Sequence, residues 1–598
     1  MIIMQHNFKW MGCMIALLFS SCHDGKDVDV TFKEDDECVK THVADVLTRR
    51  DLAGYTVYYF DSQDGNDSND GLSQDTPWKS LTKLYNKDLL REGVAVLLKR
   101  GSVFNGALWG LPGSGSQERP IVISDYGEGE LPKIAGSNTM TLQLVDNSYW
   151  EFFNIHFTSQ ETEERPNMLG VNLRAVEKVV RHIHFLNCTF SDIRGYKDWS
   201  LGGTALLTSN SEKNSAYFDD LRVENCTFYN CTRNGFSMYL DVPTDAVSQK
   251  LNKNVVIRNN TFEKVPGDVI LVSGTDGALI EGNTVRFGGQ LGVGYTVPGQ
   301  LDVKRQNYAA AIWVMHAKNS IIRYNISQDS HTMRDGGGFD VDADCENTLI
   351  EYNISYNNSG GFLLLCPTRN TPHKNTIVRY NISIDDGQRN FQRQAMTESG
   401  LDPYPDASLI QFVQGIESCY IYNNTFVKTK FPVSTDWNDN TAFAFSNNLG
   451  VDRPSDIYIA NNLLYTTATE KNPFWRTESG SPVKDGVVRF RNNYIHGYSN
   501  RAFGAENSEY NRGNVYKDDH EPHPFVGSIG NWGEKMEFEQ ACQKLKPKPS
   551  SHDIIGAGLS MSALENLFGS QTSAFPGSAV DFWGKNIGAS HNIGAYNH

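Results

Sequence analysis

Four aspartates, Asp335, Asp340, Asp342 and Asp344, fall within ten residues of the stretch RDGGGFDVDADCENTLIEYNIS (334–355). The last three alternate with Phe339, Val341 and Ala343, the period-2 pattern of a strand with one apolar and one acidic face. Like charges on one face destabilise a strand unless something uses them. Hydrolysis of a glycosidic bond would use them: it commonly takes two carboxyl groups, about 5–5.5 Å apart for retention or about 6.5–9.5 Å for inversion. Mutual repulsion would raise the pKa of at least one, as a general acid requires. Elimination from a uronate would use them differently, needing a base near the α-proton and a cation on the carboxylate. Calcium held by Asp340, Asp342 and Asp344, with Lys304, Arg305 or Arg334 nearby, would supply that cation. A solvated or calcium-stabilised strand without catalysis is the third reading. No GxSxG, HExxH or phosphate-loop pattern competes with these.

The elements that position these residues repeat. LNCTFSDI, ending at Ile193, is followed by ENCTFYNC, RNNTFEKV, EGNTVRFG, RYNISQDS, EYNISYNN, RYNISIDD, YNNTFVKT, ANNLLYTT and RNNYIHGY. Each is a short apolar strand, an Asn at a corner, a β-branched or aromatic pair, then a polar turn. Asn325, Asn353 and Asn381 are separated by 28 and 28 positions, and other intervals stretch to 42 or 43. A period of 20 to 50 residues signals a solenoid. Asn suits such corners because it tolerates left-handed backbone and hydrogen-bonds to the next coil. Several copies also fit the N-x-Ser/Thr glycosylation pattern, but a corner ladder accounts for all of them.

Superposing AAAIWVMHAKNSIIRYN on GGGFDVDADCENTLIEYN without a gap places His316 beside Asp344 and gives Trp313 an inward position. An earlier coil, GDVILVSGTDGALIEGN, brings Asp268 to the start of its strand. Coils stack about 4.8 Å apart, so the outward aspartates and His316 form one polar patch. A one-residue slip would bury three carboxylates, which fixes the register. The expected catalytic set is therefore Asp340, Asp342, Asp344, His316 and Asp335. His331, Arg334, Arg393 and Asp268 are the expected substrate contacts, and Tyr239 could stack on a sugar. Gly336, Gly337 and Gly338 would admit a substrate or a neighbouring backbone.

Between about residues 135 and 530 these repeats resemble the right-handed parallel β-helix of the pectin-lyase-like superfamily. YYFDSQDGNDSNDGLSQDTPWKSL (58–81) is similar to the N-terminal cap of exported bacterial β-helix enzymes. SSHDIIGAGL and DFWGKNIGASHNIGAYNH resemble the closing segment of the same families. The resemblance implies an all-β chain with a cap at 51–134, a β-helix at 135–530 and a closing segment at 531–598. It also implies action on a polysaccharide, as in β-helix fucosidases and xylanases, with a glycoside hydrolase as the first expectation. A calcium-dependent polysaccharide lyase and a non-catalytic glycan-binding β-helix are the alternatives. The Asp61–Asp70 loop does not follow the EF-hand template, because the frame starting at Asn66 ends on Pro77 rather than Glu. A turn-rich cap closed by Trp78 is expected there.

Across 598 residues, 54 Lys and Arg face 70 Asp and Glu, a net charge of −16. That balance excludes nucleic acid and a charged hold on anionic lipid, and leaves a neutral glycan open. At the N-terminus, Lys9 precedes an apolar run from Met11 to Phe19, too short for a permanent span. LFSSC resembles a bacterial lipoprotein signal with a permissive lipobox. It implies a signal at 1–22, lipid on Cys22, a linker at 23–50, and an exported chain on the outer membrane, at the cell surface or in the periplasm. Eight further cysteines show no CxxC or zinc spacing and are expected as buried apolar residues, with Cys226–Cys231 the disulfide to consider.

Overall fold

The computed structural model describes residues 47–596, apart from 166, 196–201, 211–214, 241–250, 289–295, 298–299, 302–307, 333, 368–369, 388–407, 431–440, 447–448, 452–453, 468–472, 478–482, 484–485, 503, 505, 519, 570–579, 585 and 588–590. Cys22 and the rest of the N-terminal leader therefore lie outside the described residues. Among those described, no helix is long and apolar enough to cross a membrane.

Each coil lays one short strand on each of three parallel sheets. Val180–Leu186 belongs to the first, Thr189–Ser191 to the second and Leu206–Asn210 to the third, before Phe218–Glu224 returns to the first. The chain is thus an all-β parallel β-helix. Pairing already begins with Thr56–Phe60 on Val94–Lys99, within the segment read as cap, and runs to Tyr494–His496 on Val515–Lys517. Inward residues repeat in register, so like stacks on like. Phe157, Phe190, Phe228 and Phe262 form one such column, with ring centroids 5.2, 4.6 and 4.4 Å apart.

The repeated Asn residues form a buried ladder at one corner. The backbone N–H and Nδ2 of Asn325 both donate to Asn353 Oδ1, at 2.9 and 3.0 Å. Asn353 repeats this on Asn381 at 3.0 and 3.0 Å, and Asn381 on Asn424 at 2.9 and 3.0 Å. The left-handed residue is the one before: Tyr324, Tyr352 and Tyr380 have φ of 54°, 55° and 52°. Asn is needed here for its amide, which satisfies backbone groups in the turn, and not for its backbone freedom.

The ends close differently. Trp78 donates its indole N–H to Asn69 O at 2.7 Å and stacks on Tyr58, while Asp61 and Asp67 are occupied by backbone N–H groups of the same cap. At the other end the helix Met561–Phe568, capped by Ser560, lays Leu564 and Phe568 on Tyr420, Tyr422 and Tyr458 of the first sheet. Cys188, Cys226, Cys231, Cys345 and Cys419 are buried and free, so the Cys226–Cys231 disulfide is not formed. Cys542, expected as an apolar thiol, is disulfide-bonded.

Candidate active site

The aspartate strand Phe339–Asp342 lies in the third sheet, between Ile312–Met315 and Leu363–Cys366. Phe339 and Val341 point into the core and are fully buried. The outward positions build two rows across the coils. One runs Ser237, Leu271, Trp313, Asp340, Leu364; in the other, Ser273 is beside Met315 and Asp342 beside Cys366. Alternation thus puts Asp340 and Asp342 on the outer face, as strand geometry requires.

The alternation stops there. Trp313 pairs with Asp340, 27 positions on, whereas Lys318 pairs with Glu346, 28 positions on. One extra residue is therefore accommodated after Asp342, a bulge that re-aims the residues beyond it. Two expectations change. Trp313 is not inward: counted through the bulge it shares the face of Asp340, and its Nε1–H donates to Asp268 Oδ1 at 3.1 Å. Asp344 does not continue the acidic row but sits at a left-handed corner, φ 55°, with its side chain 52% exposed. There it meets His316, itself at φ 48°, with Nδ1 and Oδ2 3.6 Å apart. Asp340, Asp342 and Asp344 consequently do not converge on one ion, and the calcium triad expected from the spacing is not assembled.

Four carboxyl groups do gather: Asp268, Asp335, Asp340 and Asp342. Asp340 was expected to face solvent, yet it is only 5% exposed, and its Oδ1 has no hydrogen-bond partner among the described residues. Burial holds its pKa well above the ordinary carboxylate range, and the charges of Asp342, Asp335 and Asp268 add to this. Burial also raises Asp268, to about 7, against the opposing charge of Arg233 and the Trp313 hydrogen bond. Asp342 is half-buried. Its pKa is raised by burial, while the Ala343 N–H (2.7 Å to Oδ1) and His316 favour its ionised form. Asp335 is half-buried at φ 58° on the short strand Arg334–Asp335, which pairs with Tyr308–Ala309. Such crowding of carboxyls in low dielectric keeps some of them protonated at neutral pH.

The remaining expected contacts divide. His331 is placed against Asp329, Nε2 to Oδ1 3.9 Å, and burial lowers its pKa. The side chain of Arg334, and Arg393, Lys304 and Arg305 entirely, lie outside the described residues. Gly336 has φ 65°, and a Cβ on Gly338 would lie 2.3 Å from Ser355 Oγ; these glycines admit the next coil rather than a ligand. Tyr239 is half-buried on the outward face near Asp268 and Arg233. Three contributors carry no signal that the sequence pattern reveals. Trp313 was hidden by the bulge, and Arg233 by its place in an unremarkable turn. His373 is fully buried, with a pKa lowered to about 4, and as a neutral ring donates from Nε2 to the Asp342 carbonyl at 2.6 Å. It fixes the end of the aspartate strand.

Residues 137–426 match a family model described as a right-handed beta helix region. The chain is 26% identical over 545 residues to a lacto-N-biosidase of Bifidobacterium longum, a match covering 76% of this chain and 31% of that protein. It thus spans less than a third of that relative's length. Among solved structures it resembles the GH136 lacto-N-biosidase from Eubacterium ramulus. The native form is 24% identical with a TM-score of 0.51, covering 66% of this chain and 65% of that one. The selenomethionine form is 23% identical with a TM-score of 0.52, covering 74% and 68%. These likenesses establish the right-handed parallel β-helix.

Proposed function

We propose that the chain is a glycoside hydrolase acting on an oligosaccharide or polysaccharide, with Asp342 and Asp335 as its two working carboxyl groups. The observation that carries this reading is a difference in access. Asp342, on the outer face of the third sheet, and Asp335, on the short strand beside Tyr308–Ala309, are half-buried, while Asp340 and Asp268 are only 5% and 7% exposed. A group that attacks or protonates a sugar must touch it. Asp342, with a backbone N–H on one oxygen and His316 nearby, is favoured as the carboxylate that attacks or activates water. Asp335, the other accessible carboxyl, then serves as the proton donor to the leaving oxygen. Asp340, buried and protonated, keeps net negative charge from building beneath the pair. Tyr239 and Trp313 offer aromatic surface to a pyranose ring.

The relatives named lacto-N-biosidase make oligosaccharides with a lacto-N-biose unit the first substrates to test, followed by a panel of plant and host polysaccharides. Reducing ends should appear without the ultraviolet absorbance of an unsaturated product. Asp335→Asn and Asp342→Asn should each lower turnover by about 10²-fold or more with folding retained. Unsaturated product would replace hydrolysis with elimination, and binding without turnover would leave a glycan-binding module. For location we propose export, cleavage before Cys22 and a lipid anchor on that residue, motivated by the run from Met11 to Ser21. Mass spectrometry of the N-terminus, with Cys22→Ser shifting the chain to the soluble fraction, tests it.

A further inference from the structure

A second cluster lies on the outer face of the first sheet. Along that face one left-handed position recurs in register: Tyr149, His182, Asp220, Asn254, Gly277, Asn319, Asn347 and Asn375. In the later coils it carries a neutral amide ladder, Asn347 Nδ2 donating to Asn319 Oδ1 at 2.9 Å and Asn375 Nδ2 to Asn347 Oδ1 at 2.7 Å. In two consecutive earlier coils the amides give way to His182 and Asp220. Glu151 and His184, which pair across the same strands, complete the group.

The geometry is that of a coordination site. Glu151, His182 and His184 each offer a ligand atom, and all three atoms lie within 4.8 Å of one another. His182 Nε2 is 2.9 Å from Glu151 Oε1. The other side of the pair is held by one oxygen: Asp220 Oδ2 lies 2.9 Å from His182 Nδ1 and 3.0 Å from His184 Nε2. The two rings are 3.8 Å apart, too close for both to be cationic at ease. Arg222 Nε donates to Asp220 Oδ1 at 2.8 Å, and Arg50 Nη2 to Glu151 Oε1 at 2.7 Å.

We propose that Glu151, His182 and His184 bind one divalent transition-metal ion of the zinc type. Asp220 accepts the remaining ring N–H of both histidines. Imidazole and carboxylate ligands suit zinc, copper or nickel better than calcium. A carboxylate that takes the distal N–H of a metal-bound histidine is the usual outer support of such sites, and here one aspartate orients two rings at once. Glu151 is 7% and His184 4% exposed, while the His182 side chain, 15% exposed, gives the ion its entry. The ion would tie two consecutive coils together, with Asp220 bracing its histidines from a third, on a different sheet from the aspartates, so its role is structural. It stands whether or not the chain hydrolyses glycans.

The test uses the full chain stripped with a chelator and titrated calorimetrically with zinc chloride, then with cobalt(II) followed by visible absorption. The expected result is one saturable site per chain, ligand-field bands for cobalt, and a melting temperature that falls on stripping and returns with zinc. His182→Gln/His184→Gln should remove the site and make melting indifferent to chelator. If that double variant fails to fold, the wild-type chelator response and Asp220→Asn, expected to weaken zinc at least tenfold, carry the test. No saturable binding and no chelator effect in the wild-type chain would overturn the proposal, leaving a hydrogen-bonded ion cluster. So would unchanged stoichiometry in the folded double variant.

Discussion

Replacing Asp268 by Asn should make the protein more stable at neutral pH and leave it unchanged in acid. In the folded chain the Asp268 carboxyl is pushed up from 3.8 to about 7, burial being the largest cause. Below pH 3.8 both folded and unfolded chains hold this proton, and the group has no effect on stability. Between 3.8 and 7 the unfolded chain ionises while the folded chain does not, so stability falls as pH rises. Above 7 the deficit is constant. Each tenfold change in proton affinity is worth ~1.4 kcal/mol, so the full deficit is about 4 kcal/mol. Asn keeps an acceptor for the Trp313 indole N–H but leaves Arg233 without this counter-charge, so a gain of about 2–4 kcal/mol is expected. Urea unfolding of both proteins at pH 4, 6 and 8 measures it. The difference should be near zero at pH 4 and largest at pH 8. A variant less stable than wild type at pH 8, or a difference that ignores pH, would refute the reasoning. Turnover should fall by about tenfold, since Asp268 orients Trp313 beside the working pair.

Trp313→Phe keeps the aromatic surface but removes the N–H on Asp268. The pKa of Asp268 should rise further and kcat/KM should fall by about three- to tenfold, read from a pH–rate profile. Asn353→Ala removes the amide that accepts from Asn325 and donates to Ile322 O, Glu351 O and Asn381 Oδ1. Leaving those buried groups unpaired should destabilise the chain by about 2–4 kcal/mol in urea unfolding, without changing KM.

The architecture was legible because its corner motif recurs along the chain, at intervals of 28 residues in some coils and of up to 43 in others. The Asn corners repeat at periods that a stacked coil satisfies. What failed was local. A gapless alignment carried the 28-residue spacing of the Asn corners into a strand spaced at 27, which turned Trp313 inward and left Asp344 in the acidic row. A single bulge residue does that, because strand parity has a period of two. Burial was also out of reach: alternation says which way Asp340 points, not what covers it. Arg233 and His373 act through tertiary proximity across coils, for which the sequence holds no spacing signal.

Carboxylates are common on this molecule's outer faces, and their partners tell the working ones from the structural ones. On the first sheet Arg323 Nε donates to Glu281 at 2.6 Å and Arg379 Nε to Glu351 at 2.9 Å, and Arg258 forms an ion pair with Glu281, Nε to Oε1 3.0 Å. Those acids are buried and ion-paired, and the helix Met561–Phe568 is seated on later strands of the same sheet. The second sheet is covered by the closing segment: Gln328 exchanges hydrogen bonds with Glu534 O and the Met536 N–H, and Arg286 pairs with Glu537. On the third sheet the acids are crowded against one another instead. Burial raises the Asp340 carboxyl, three other aspartates add to this, and a backbone N–H opposes it. The first sheet meets its buried acids with arginine, whereas burial raises the Asp340 and Asp268 carboxyls on the third and keeps protons available there. Proton availability is what separates a general acid from a structural ion pair. Introducing the missing partner is the direct check: Leu364→Arg, beside Asp340 in register, should draw the Asp340 carboxyl down toward the ordinary range. It should abolish turnover while leaving the coil stack intact by circular dichroism. A Leu364→Arg enzyme with undiminished kcat would mean that the crowded carboxyls do no chemistry.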